Sequence, residues 1–121
     1  DIDEDILKIA VCDLSGIKNS KEHFFEKWKG KASVMVSGEL YLDFMDLSVN
    51  KGKGLGQIQD YFGLTQDECM AFGDNYNDIA MLDMVSESYV MEKAVDDVKK
   101  HGKYITGLVE GTLRERFKDI M

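Results

Sequence analysis

The chain has 121 residues, 44% hydrophobic and 10% aromatic, enough apolar material for a buried core, which excludes a disordered segment. Its net charge of −8 argues for no nucleic-acid partner and no anionic membrane surface. Cys12 and Cys69 stand far apart in no paired motif, as in a reduced, cytoplasmic protein. No apolar run approaches the roughly 18 residues of a spanning helix, and no signal peptide is visible. The start at Asp1 rather than methionine leads us to expect further chain upstream.

Residues 6–12 read as a mostly buried strand, flanked by acidic residues before it and by 13–16 after it. A helix is expected over 20–28, with Ser20 as its N-cap and Phe24, Phe25 and Trp28 as its apolar stripe. Residues 31–36 and 40–45 are two more strands. Ser37-Gly38-Glu39 between them is a hairpin turn, which makes the pair antiparallel. From Lys51 a helix follows, with Leu55, Ile58 and Phe62 on its buried face and Gly63 as its stop. Thr65-Gln66-Asp67-Glu68 has capping-box spacing, so one helical turn should precede a strand at 69–72. An acidic loop comes next, then a helix to about residue 85 and a strand near 88–91. A helix around 95–100, a strand at 104–105 and a last helix over about 111–117 complete the chain. Alternation of this kind predicts a parallel sheet with helices on both faces.

The acidic loop, Gly73-Asp74-Asn75-Tyr76-Asn77-Asp78, is the most informative segment. It delivers two carboxylates and two amides between a strand end and a helix start. Magnesium takes oxygen ligands, usually one or two protein carboxylates with waters and substrate phosphate. The helix start adds free N–H groups and the positive end of the dipole, which suit a phosphate.

Gly-Asp-x-x-Asn-Asp after an apolar strand resembles the fourth motif of the haloacid-dehalogenase superfamily, in its Cof-type phosphatase branch. Upstream, Leu47-Ser48-Val49-Asn50-Lys51-Gly52-Lys53-Gly54-Leu55 looks like the lysine motif of the same family, at a similar distance. The resemblance covers nearly the whole chain. It implies that residues 1–48 are the closing β-α-β-β piece of an α+β cap and that 49–121 are the C-terminal half of a Rossmann-like α/β core. The chain then holds only about half of the usual architecture.

The same resemblance implies roles at the site. Asp74 would ligate Mg2+, where the plainer reading is a helix N-cap. Asn77 would contact the substrate phosphate, against a loop amide bonding its own backbone. Asp78 would hold a metal-bound water or orient Lys51, against an acid favoured by the helix dipole. Lys51 would neutralise the transferring phosphoryl group. Metal ligation is thus assigned to Asp74 and Asp78, phosphate binding to Lys51 and Asn77, and catalytic roles to Lys51 and Asp78. Lys53, His23 and His101 read as surface residues, and Gly52, Gly54 and Gly56 as close-packing or conformational positions. In Val90-Met91-Glu92-Lys93-Ala94 the chain departs from the small-residue segment usual in the family, with Glu-Lys in place of Gly-Asn.

The nucleophile that the resemblance calls for, the first aspartate of an Asp-x-Asp-Gly-Thr/Val loop, is not found. Asp13 follows a strand but reads as a turn residue before Gly16. The expectation is therefore a Mg2+-dependent phosphohydrolase of a small phosphorylated metabolite, acting through an aspartyl-phosphate, present as an inactive fragment. A sheet missing the nucleophile's strand leaves an unpaired edge that favours self-association. Two alternatives stand beside it: a non-catalytic relative that binds phosphate or a protein, and a receiver-like phospho-signalling domain. The second fits less well, because Lys51 precedes the acidic loop.

Overall fold

The computed structural model describes residues 3–120 and divides into two units, Asp1–Val49 and Asn50–Met121. The first unit is a three-stranded antiparallel sheet with one helix. Strand β1 (Ile9–Cys12) leads through a 3-10 turn (Ile17–Asn19) to helix α1 (Lys21–Trp28), then to strands β2 (Ser33–Val36) and β3 (Tyr41–Met45). The order is β1-β3-β2, with Val11 opposite Leu42 and Val36 opposite the same residue on the other side. Leu42 on the central strand is therefore fully buried. Phe24 and Trp28 of α1 meet Phe44 edge-to-face, with ring centroids 5.7 and 6.0 Å apart.

The first strand departs from expectation. It was expected over 6–12 and mostly buried, yet it begins at Ile9, and Ile6, Leu7 and Ile9 are exposed. β1 pairs with β3 alone, and β3 runs out at Met45, so the segment before Ile9 has little to pair with. Asp13 ends β1 in a side-chain-stapled turn. It accepts hydrogen bonds from the Ser15 N–H (2.9 Å), Ser15 Oγ (2.6 Å) and Ser20 Oγ (2.7 Å). Ser20 precedes α1 as expected, but its hydroxyl is turned to Asp13 and does not cap the helix.

The second unit is a βαβαβ arrangement. Helix α2 (Lys51–Phe62) is followed by a 3-10 turn (Gln66–Glu68), strand β4 (Met70–Gly73), a 3-10 turn (Tyr76–Asp78) and helix α3 (Ile79–Leu82). Strand β5 (Glu87–Met91), helix α4 (Asp96–Lys99), strand β6 (Tyr104–Thr106) and helix α5 (Val109–Arg116) complete it. The three strands are parallel in the order β4-β5-β6, and helices flank the sheet. On one face Ala71 and Val90 pack with Leu82, Val85, Ala94 and Val98. On the other, Phe72, Tyr89 and Tyr104 sit in register and stack at 5.0 and 5.1 Å. The capping box forms: the Thr65 N–H donates to Glu68 Oε2 at 2.8 Å.

Three helices differ from the reading of the sequence. α3 stops at Leu82 instead of about 85, its start taken up by the 3-10 turn, and α5 begins at Val109 instead of about 111. On α2 the expected stripe fails. Ile58 and Phe62 are exposed and Leu55 is half-buried, whereas Gly52 and Gln59 are buried. Apolar periodicity finds the greasiest face, but here α2 meets α3 through its smallest residues. A Cβ on Gly52 would lie 2.5 Å from the Ala80 carbonyl oxygen, and one on Gly56 would lie 3.3 Å from Met84 Cε. Gln59 closes the contact, its amide donating to the Met84 carbonyl at 3.0 Å. Gly54 touches nothing within 4 Å, so close packing explains the first and third glycines only.

Candidate phosphate and metal site

The site begins at two chain turns. Asn50 caps α2, its side-chain oxygen accepting from the Lys53 N–H at 2.8 Å, and Lys51 is the first helical residue. No acid lies in that first turn. A cation there faces the positive end of the helix dipole, an arrangement that costs about 0.3–1 kcal/mol. Helix stability therefore gives no reason for Lys51.

The compensating charge is Asp78. The Lys51 ammonium donates to Asp78 Oδ1. Asp78 Oδ2 accepts from the Asp74 N–H (2.9 Å) and the Asn75 N–H (3.1 Å). Asn75 opens the 3-10 turn with its side chain accepting from the Tyr76 N–H at 2.8 Å. Gly73 is required at the end of β4: a Cβ there would stand 2.6 Å from Asp78 Cβ. The loop folds over a buried carboxylate, and only glycine leaves it room.

Asp78 is 3% exposed. Burial pushes its carboxyl up, but the Lys51 hydrogen bond, the Asp74 and Asn75 N–H groups and the Lys51 charge outweigh burial and hold it below the ordinary value. It is therefore ionised at neutral pH.

The remaining residues singled out in the sequence are differently placed. Asp74 is exposed at the C-terminal end of β4, and Asn77 is half-buried within the 3-10 turn. Neither side chain makes a hydrogen bond or ion pair among the described residues. The structure thus brings Lys51 and Asp78 together and leaves the Asp74 carboxylate and the Asn77 amide unengaged. Lys53 is exposed. His101 is half-exposed and has a partner that sequence reading missed: its Nδ1 lies 3.0 Å from Asp83 Oδ1, across 18 residues of chain.

Among the described residues no group of three His, Cys, Asp or Glu side chains converges as a metal cage. The site so far offers one open carboxylate, Asp74, at the end of β4. One carboxylate fits the way magnesium is held, by one or two protein carboxylates with waters and substrate phosphate.

Residues 91–94, where the sequence departs from the family, form a further wall of the site, and Gly107, which the sequence did not single out, completes it. Asp74, Met91, Glu92, Lys93, Ala94 and Gly107 line a cavity of about 250 Å3. The available signal is topological: each lining segment lies at the C-terminal end of one of the three parallel strands, where open α/β sheets bind ligands.

The sequence profile of the family described as haloacid dehalogenase-like hydrolase matches residues 1–111. An HMP-PP phosphatase of Enterobacter sp. (strain 638) is 41% identical over 91 residues, 74% of this chain and 34% of that protein. The 5-amino-6-(5-phospho-D-ribitylamino)uracil phosphatase of Bacillus subtilis (strain 168) is 28% identical over 105 residues, 85% of this chain and 36% of that protein. The crystal structure of a haloacid dehalogenase-like hydrolase from Bacteroides thetaiotaomicron superposes with a TM-score of 0.73 at 27% identity, covering 100% of this chain and 46% of that one. The chain spans about a third of the length of those two phosphatases. Among the described residues no helix is long and apolar enough to cross a membrane.

Proposed function

Since this chain belongs to the haloacid dehalogenase-like hydrolases, we propose that it supplies the cation- and phosphate-handling side of a magnesium-dependent phosphohydrolase centre. The substrate class is a small phosphorylated metabolite; relatives named for HMP-PP and for a phosphoribitylamino-uracil support it. The carrying observation is the division of labour around one loop. Asp78 is buried and committed to Lys51, while among the described residues the Asp74 carboxylate and Asn77 amide have no partner.

In this reading Asp74 holds magnesium, and Asp78 supports the metal site from behind by fixing the Asp74 N–H. Magnesium, when bound, supplies positive charge to the phosphoryl group in flight. Lys51, held in place by Asp78, stabilises the same oxygens, and Asn77 donates its amide N–H to one of them. Residues 1–48 act as part of a cap, residues 49–121 as part of the core, and the setting is cytoplasmic.

The nucleophile in this account is an aspartate outside these 121 residues, which forms the aspartyl-phosphate that water then cleaves. The engagement of Asp13 supports that choice. Its oxygens are taken up by Ser15 and Ser20, and those hydrogen bonds hold its carboxyl below the ordinary value.

The test is phosphate release from a panel of sugar and nucleotide monophosphates with and without Mg2+. The chain alone should release none. A longer protein containing it should turn over with Mg2+ and lose about 100-fold or more in Lys51→Ala or Asp74→Asn, the scale of removing one preorganised charge-stabilising group. Turnover by the chain alone, or full activity in Asp74→Asn, contradicts the proposal.

A further inference from the structure

The cavity beside Asp74 has a second wall, formed by the turn after β5. After β5 the chain makes a tight turn in which the Ala94 N–H donates to the Met91 carbonyl at 2.9 Å, with Glu92 and Lys93 at the two central positions. The turn is pinned at both ends. The Glu92 N–H donates to the Thr106 carbonyl of β6 at 2.8 Å, and Ala94 is buried in the core. The central side chains project from a fixed base, both exposed.

Both are also unengaged. Neither the Glu92 carboxylate nor the Lys93 ammonium makes a hydrogen bond or ion pair among the described residues. Glu92 lies against Gly107, its Oε1 3.5 Å from where a Cβ on that glycine would stand. Lys93 shares the wall of this cavity with the Asp74 and Glu92 carboxylates, and among the described residues its ammonium pairs with neither. On a chain with net charge −8, an unpaired lysine at the C-terminal ends of parallel strands is placed where an anion would be recognised.

We propose that Lys93 is a specificity-determining residue: it binds a second anionic group, carboxylate or phosphate, carried by the leaving group of the phosphate ester. This rests on the reading that Lys51, Asp74 and Asn77 receive the scissile phosphate. The substrate class narrows accordingly, from any small phosphate monoester to one bearing a second negative charge a few bonds away.

The experiment uses the 121-residue chain with Mg2+ and two probes of similar size, ethyl phosphate and 2-phosphoglycolate, titrated by amide NMR shifts. A bisphosphate, propane-1,3-diyl bisphosphate, serves as a third arm and separates carboxylate from phosphate as the second group. We expect 2-phosphoglycolate or the bisphosphate to bind about tenfold tighter than ethyl phosphate, the scale of one charge-assisted contact. In Lys93→Gln that ratio should fall to about twofold or less, while in Glu92→Gln it should persist or grow. Equal binding of all three probes, or an advantage that survives Lys93→Gln, overturns this proposal and leaves the phosphate-site reading standing. Failure of every probe to move the amides of 73–78 overturns both.

Discussion

Gly52→Ala and Gly54→Ala make a paired test of the contact that brings Lys51 to Asp78. Both glycines lie in the first turns of α2, so each replacement should gain about 0.5–1 kcal/mol from helix propensity alone. Their surroundings differ. The new Cβ at 54 meets nothing within 4 Å, so the gain stands and Gly54→Ala should be stabilised by that amount. At 52 the Cβ would stand 2.5 Å from the Ala80 oxygen, 2.7 Å from its carbonyl carbon and 2.9 Å from its Cβ. Two of the three atoms are backbone, so relief requires α2 and α3 to separate by about 1 Å, not a rotamer change. Overpacking of that kind costs about 1–3 kcal/mol. Taking off the propensity gain, Gly52→Ala should lose about 0.5–2 kcal/mol, and the two variants should differ by roughly 1–3 kcal/mol. Urea unfolding followed by far-UV circular dichroism reads the difference. Trp28 fluorescence is unsuitable, because Trp28 lies in the other unit. Equal midpoints for the two variants, or a Gly52→Ala protein more stable than the parent, would refute the close approach of α2 to α3.

Asp78 gives a pH prediction. Its folded-state carboxyl lies below the unfolded value of about 3.9, so its contribution is fully present above that pH and is lost as pH falls through the folded value. The gap in urea midpoint between parent and Asp78→Asn should therefore hold from pH 7 to about 4 and narrow below that; a gap unchanged down to pH 3 would contradict it. Lys51→Met removes one charged donor from a buried carboxylate that keeps two N–H bonds, and Lys51 is itself half-exposed. The expected loss is about 1 kcal/mol at pH 7, and a neutral result would place the pair among ordinary surface contacts. Asp74→Ala removes an exposed side chain with no partner among the described residues, so its midpoint should stay within about 0.5 kcal/mol of the parent. A larger loss would mean that Asp74 is structural.

Local chemistry made much of the fold legible. Thr65 and Glu68 announce their capping box, Ser37-Gly38-Glu39 its hairpin, and the alternation after Lys51 its parallel sheet, because each depends on neighbours in sequence. What depends on distant partners was not legible. The buried face of α2 is set by Ala80 and Met84, which accept a glycine-lined surface that apolar periodicity ignores. Ile9 reads as buried from its own run, and only the one-sided pairing of β1 with β3 exposes it. At the site, Gly73–Asp78 and Lys51 stand out as sequence. The Asp83–His101 pair and the Gly107 side of the cavity do not, since they join segments that only the sheet brings together.

The central claim is that the Gly73–Asp78 loop is a magnesium-binding half-site organised on Lys51 and Asp78. Amide NMR of the chain titrated with MgCl2 tests it most directly. The account predicts saturable shifts concentrated at residues 73–78 and Lys51, abolished by Asp74→Asn with the rest of the spectrum unchanged. Shifts spread over the exposed acids of both units, or a loop response that survives Asp74→Asn, would contradict it.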